Sequence, residues 1–433
     1  MKGTVLLGCM SAALAAAVAC AASGDDDGAT PPKPDPGVTV PPDSGTSDVS
    51  TRDVDPESRV VCSEAGWCAT PLPDADLIFK DVWPLSGRAF AIAESPTLGI
   101  RILEWEDAAA QWKYIDDNSQ NESGRATWAG HIWAADENDV YFGAAPATIY
   151  HGKRPVPPAT TWTWTHQTLE DHSPDVNPEH DHGYPTFPVL ETGYPALGAW
   201  GVGGDLYAWY ANTIYRWKND DAGTPAWIAE HIIDDVDVPD EHLFFVGAAG
   251  TTLDDVWFVG VRDGALAGGG ACPIIVRKTA ADGYRRIADG ITSFFGCDER
   301  PGFTWIGGGK AARGWLTDLQ ALPGNRFVGR KGAGAIAQIV ALDDGYEVSY
   351  SVVPFELMAR DLYSLYTPAD GQIWMSGWGL VVRGDDVWDG GTFGLSTITL
   401  NGPINRPMYR VRGTSNTNLW AVGVRYALHK TTP

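Results

Sequence analysis

Beyond its N-terminus the 433-residue chain has no apolar run long enough to span a membrane and almost no helical periodicity. It is also short of cations. Lys and Arg number 31 against 55 Asp and Glu, a net charge of −24. That balance argues against a general nucleic-acid binder and against electrostatic docking on anionic lipid. No nucleophile elbow, phosphate loop or HExxH motif is present. What the chain does have is 50 Gly, 30 Pro and 19 Trp, with 44% apolar residues, the make-up of a folded, turn-rich protein.

The N-terminus reads as a targeting segment. Met1-Lys2 is a short positive region, and residues 5–19 are apolar and small. The stretch Ala17-Val18-Ala19-Cys20 resembles a bacterial lipobox, although Leu is commoner at the Ala17 position. The resemblance implies a signal peptide over 1–19 and a lipid on Cys20. The alternative is an ordinary secretory signal cut near Ala19 or Ala22. From 20 to 57 the chain is rich in Pro, Gly, Ser, Thr and Asp and has no apolar period, as a solvated tether would be. The folded domain is expected over 58–433.

That domain repeats. A turn residue, a gap and an aromatic inside an apolar strand recur seven times, at Phe90, Tyr141, Tyr207, Trp257, Phe327, Trp374 and Trp420. Their separations are 51, 66, 50, 70, 47 and 46 residues, a unit of constant size with two long insertions. Apolar runs flank each instance, giving four short strands per unit. This predicts an all-β chain built as one seven-bladed β-propeller, with six or eight blades as alternatives. The last unit ends at Pro433 without a fourth strand, and an orphan strand around Trp67 precedes the first. Pairing the two would close the ring and cover an open edge.

Strands such as Asp254-Asp255-Val256-Trp257-Phe258-Val259-Gly260 and Asn418-Leu419-Trp420-Ala421-Val422-Gly423 resemble the DVWAVG-type repeats of secreted bacterial, myxobacterial-type lipoproteins. The resemblance covers about residues 66–433 and implies architecture, with almost nothing about function. WD40, sialidase and kelch signatures are absent from the units.

Four cysteines remain for the exported domain, Cys62, Cys68, Cys272 and Cys297, and an even number favours two disulfides. Loops between blades and between second and third strands leave a propeller on one face. The largest insertions, 166–193, 262–272 and 289–313, all belong to that class. This makes Cys272–Cys297 the sensible pair and the insertion-bearing face a candidate binding surface. Its recognition residues would be Tyr184, Phe187, Tyr194, Arg262, Phe294, Phe295, Asp298 and Arg300. His172, His180 and His182 lie among carboxylates and can ligate Zn²⁺, but a polar surface loop with little to stiffen it is the favoured reading. The acidic run 234–241 is the best Ca²⁺ candidate, yet it lacks the glycine and spaced Glu of an EF-hand. No cofactor is therefore expected.

The expected protein is exported and lipid-anchored at the bacterial outer membrane or cell surface. It binds or scaffolds a protein or glycan without chemistry of its own. The alternative is a hydrolase of extracellular carbohydrate or peptide. A cluster of inward carboxylates or arginines near the ring axis would discriminate between them.

Overall fold

Short strands of alternating burial, separated by tight turns, assemble into seven four-stranded antiparallel sheets in the computed structural model. The structure describes residues 62–432 apart from 123–127, 174–196, 238–240, 265–269, 295, 308–313, 369–370 and 400–403. Each sheet is one blade of a seven-bladed β-propeller. The innermost strands are Ile78–Leu85, Ala129–Ala134, Leu197–Val202, His242–Thr252, Leu316–Leu322, Ser364–Tyr366 and Met408–Ser415. Each packs beside the next, and the seventh packs against the first.

The ring closes through its N-terminal strand. Trp67–Ala69 is the fourth strand of blade seven, with Trp67 opposite Lys430, Cys68 opposite His429 and Ala69 opposite Leu428. Trp67 is fully buried against Trp374, their rings 6.0 Å apart and edge to face. Its indole N–H donates to Ser396 Oγ of blade six at 2.9 Å. The Cys62–Cys68 disulfide ties the segment before this strand to the strand itself.

The repeated aromatic sits in the second strand of each blade, and its cross-strand neighbour explains why the repeat is kept. Tyr141 faces His151, Tyr207 faces Arg216, Trp257 faces Arg277, Trp374 faces Arg383 and Trp420 faces His429. His151 and His429 stack flat on their partners at 4.1 Å, and the Arg277 guanidinium lies 5.3 Å from the Trp257 ring. The residue two before the aromatic then binds the same polar group. Asp139 meets His151 at 2.7 Å, Asp205 meets Arg216 at 2.6 Å, Asp255 meets Arg277 at 2.7 Å and Asn418 meets His429 at 3.0 Å. In blade one the charges are exchanged, with Arg88 pairing Glu104. The Asp of these repeats is thus more than a turn residue, because it holds an imidazole or guanidinium beside the aromatic. Blade five departs from the rule. Phe327 faces Ile339, and it stacks instead on Trp257 of blade four at 3.9 Å.

Candidate functional site

The inner strands are mostly apolar, and several of their polar residues converge on the axis. β-Bulges interrupt the inner strands of blades one, two, four, five and seven, between Phe79 and Asp81, Ala129 and Ile132, Phe245 and Gly247, Thr317 and Gln320, and Met408 and Arg410. A bulge re-aims the side chains beside it. Here it accompanies Asp81, His131 and Arg410, all buried, and Asp318, whose side chain is 4% exposed. Asp318 holds φ at +52°, a left-handed conformation costly for a residue with a Cβ, and such strain gathers at functional positions.

These groups form one ionic hub. Arg410 reaches Asp318 at 2.8 Å and Asp81 at 3.3 Å, and its Nη2 lies 3.2 Å from His131 Nδ1. His131 Nδ1 is 3.0 Å from Asp81 Oδ2. The backbone N–H groups of Val82 and Ile132 also donate to Asp81, and that of Leu365 to Asp318. Burial opposes the charge on Asp81, but Arg412, Arg410 and His131 outweigh it and hold the carboxyl well below its usual range. Burial pushes His131 down to about 4, so the ring is neutral at physiological pH. Burial also raises Asp318, against the pull of Arg410.

Above the hub opens an axial funnel of about 290 Å³, lined by the later residues of all seven inner strands. Inner strands end at their first hairpin turns, so the funnel opens on the face opposite the inter-blade loops. Its wall is aromatic and small: Trp83, Trp133, Trp200, Trp209, Tyr366 and the stretch Val246–Gly250. Its polar members are His131, Asp318, Gln320 and Arg412. Gln320 is engaged at both ends, donating to the Leu365 carbonyl and accepting from Thr367 N–H. Arg412 lies 4.9 Å from the Trp83 ring, keeps 22% of its side chain exposed, and comes no nearer to a carboxylate than 3.7 Å from Asp81. Tyr366 carries the one hydroxyl among the lining residues, and no Cys, Lys or Glu is among them.

The insertion-bearing face is built differently. Cys272 and Cys297 are joined, stapling the third strand of blade four, Ala271–Thr279, to the hairpin Gly290–Ser293 and Gly296–Glu299. Arg262 is fully buried rather than presented to a ligand, bonded to Glu241 at 2.7 Å and Asp289 at 3.0 Å. Arg300 is held by Asp237 and lies 3.4 Å from Asp289. Asp235, Asp237 and Glu241 of the acidic run therefore face Arg262, Arg286 and Arg300, so arginines answer the charge that suggested calcium. Phe294 is 72% exposed, and Asp298 is exposed on the hairpin. Tyr184, Phe187, Tyr194, Phe295, His180, His182 and the Cys20 segment lie outside the described residues. His172 stacks on Tyr215, and its Nε2 is 3.9 Å from Glu170. Among the described residues no group of three His, Cys, Asp or Glu is placed to hold a metal ion.

Sequence reasoning missed the funnel. The available signal was an ionisable residue within a mostly apolar first strand: Asp81, His131, Asp318 and Arg410.

No protein-family model matches the sequence, and no curated protein does. Solved structures do match in fold. YCF48 from Cyanidioschyzon merolae superposes with a TM-score of 0.51 at 12% identity, over 85% of this chain and 99% of that one. A structure of YCF48 bound to D1 peptide gives 0.50 at 13% identity, over 87% and 99%. Sqt1 from Saccharomyces cerevisiae gives 0.46 at 8% identity, over 84% and 98%.

Proposed function

We propose that this chain is a binding or scaffolding propeller of the bacterial envelope, held there by a lipid on Cys20, and that its ligand enters the axial funnel. The observation that carries the reading is the chemistry of the funnel wall. Aromatic and small apolar residues supply contact area, and one weakly engaged arginine supplies orientation, as in preformed ligand sites. A propeller of the same fold is described as bound to a peptide, in keeping with a protein segment as ligand.

Of the axial carboxylates, which would have favoured a hydrolase, Asp81 works as a counter-ion and Asp318 is engaged by Arg410 and the Leu365 N–H. Asp81 is saturated by backbone N–H groups, His131 and Arg410, and is held ionised, so it has no proton to donate. His131 with Asp81 forms a base and its orienting group, but the lining places no Ser, Thr or Cys beside them.

Gly247 provides the test. It lines the funnel, and a Cβ added there meets nothing within 4 Å. The backbone there has room for a side chain, and Gly247→Phe should plug the opening. Peptide and glycan arrays probed with the wild-type protein should give ligands that this variant loses at an unchanged melting temperature. Turnover of any array ligand by the wild-type protein would move the assignment to a hydrolase. The anchor is tested separately: Cys20→Ala should abolish lipid labelling and release the protein from the membrane fraction, and unchanged labelling would refute it.

A further inference from the structure

The funnel ends on a floor of fixed charge, so a chain cannot thread through it; only an end or a side chain can enter. Arg410 is fully committed to Asp81 and Asp318. Arg412, two residues further along the same inner strand, keeps part of its guanidinium open to the funnel and has no hydrogen bond among the described residues. Its 3.7 Å approach to Asp81 and its place over Trp83 hold it without saturating it. An arginine fork with free donors, set against an aromatic wall, matches a planar carboxylate.

A second unmet donor borders the same space. Trp209 lines the funnel and is 3% exposed, and its indole N–H is buried without a partner. Its ring centroid lies 5.7 Å from that of His131, beside the hub. A buried donor left unpaired is costly, and a ligand carbonyl would relieve it.

The remaining wall decides what carries the carboxylate. Gln320, Asp318 and His131 already spend their hydrogen-bonding groups on protein partners. A sugar acid would bring several hydroxyls and find few partners for them, at a cost for each. An apolar side chain would find Leu319, Leu365 and the small residues of blade four. Resting on the funnel as the ligand site, we propose that it captures the C-terminal end of a peptide whose last residue is apolar. Arg412 takes the terminal carboxylate, and the Trp209 N–H faces the backbone behind it.

The test uses the purified full-length chain and four probes: N-acetyl-glycyl-glycyl-leucine, its C-terminal amide, N-acetyl-glycyl-glutamyl-glycine amide, and glucuronate. Titration calorimetry should show the free acid binding at least tenfold more tightly than the other three. Arg412→Gln should bring the acid down to the level of its amide while leaving the amide unchanged, and Arg412→Lys should fall between. Asp81 keeps Arg410 in both variants, and equal melting temperatures check that the hub survives. Equal affinity for acid and amide would overturn the proposal, as would a glutamyl amide or glucuronate that binds as well as the acid, or no binding of the acid at all. Gly247→Phe separates the two ways of failing. If it blocks the probes while acid and amide bind alike, the funnel stands and the carboxylate does not. If the acid binds this variant as it binds the wild type, the funnel itself is the wrong site.

Discussion

Asp81 of the first blade and His131 of the second meet across the blade boundary, with Oδ2 and Nδ1 3.0 Å apart and both side chains buried. Their pairing makes the ring sensitive to acid in a calculable direction. An unfolded imidazole takes up its proton below about 6.5, whereas the folded ring does so only below about 4. Between those values the unfolded state binds the extra proton, so stability falls as pH drops. The loss should reach roughly 3 kcal/mol by pH 4. Asp81, held below the usual carboxylate range, adds a further loss as pH falls beneath that range. Denaturant unfolding from pH 7 to 4 should show this slope, and His131→Gln should flatten it. An equal slope in the variant would mean that other groups control acid unfolding.

Arg410 is expected to be the least replaceable hub residue. Removing it leaves Asp81 and Asp318 buried with fewer partners, and losing one member of a buried ion pair costs about 3–5 kcal/mol. Arg410→Met should lower stability by that order in urea unfolding. A change below about 1 kcal/mol, the size of an exposed pair, would contradict the hub's structural weight.

The repeat pair Asp255–Arg277 should contribute much less, because both side chains are about one-fifth exposed. A double-mutant cycle with Asp255→Asn and Arg277→Met should give a coupling of about 0.5–1 kcal/mol. A coupling near zero would mean that Arg277 is held by Trp257 and Tyr346 instead.

Ring closure through Trp67 predicts unequal effects of two truncations. Deleting residues 21–57 should leave the melting temperature almost unchanged. Extending the deletion through residue 72 removes Trp67–Ala69, opens blade seven and should destabilise the whole ring. Trp67→Ala alone should cost about 3–5 kcal/mol, as expected for a fully buried tryptophan. Equal melting temperatures for the two truncations would refute the closure.

The blades were legible in the sequence because their repeat is a local physical unit. An Asp or Asn, two residues on an aromatic, and a third-strand His or Arg form a contact that recurs within one hairpin. Blade five was the faintest because Phe327 faces Ile339 and draws its packing from the neighbouring blade. The closing strand was legible because blade seven lacked one. The Cys272–Cys297 pair followed from loops that share a face. The funnel was hidden because it has no linear motif. Asp81, His131, Asp318 and Arg412 are spread over four blades, and bulges aim much of this set at the axis. Arg262 looked like a surface cation for a related reason, since its partners Glu241 and Asp289 lie 21 and 27 residues away.

The central claim is that the ligand binds at the funnel and not on the insertion-bearing face. The most direct measurement is the affinity of the tightest array ligand for three proteins: wild type, Gly247→Phe in the funnel, and Phe294→Ala on the opposite face. The account predicts a loss of at least a hundredfold for Gly247→Phe and no change for Phe294→Ala. An unchanged affinity for Gly247→Phe with a large loss for Phe294→Ala would contradict it and place binding on the long loops.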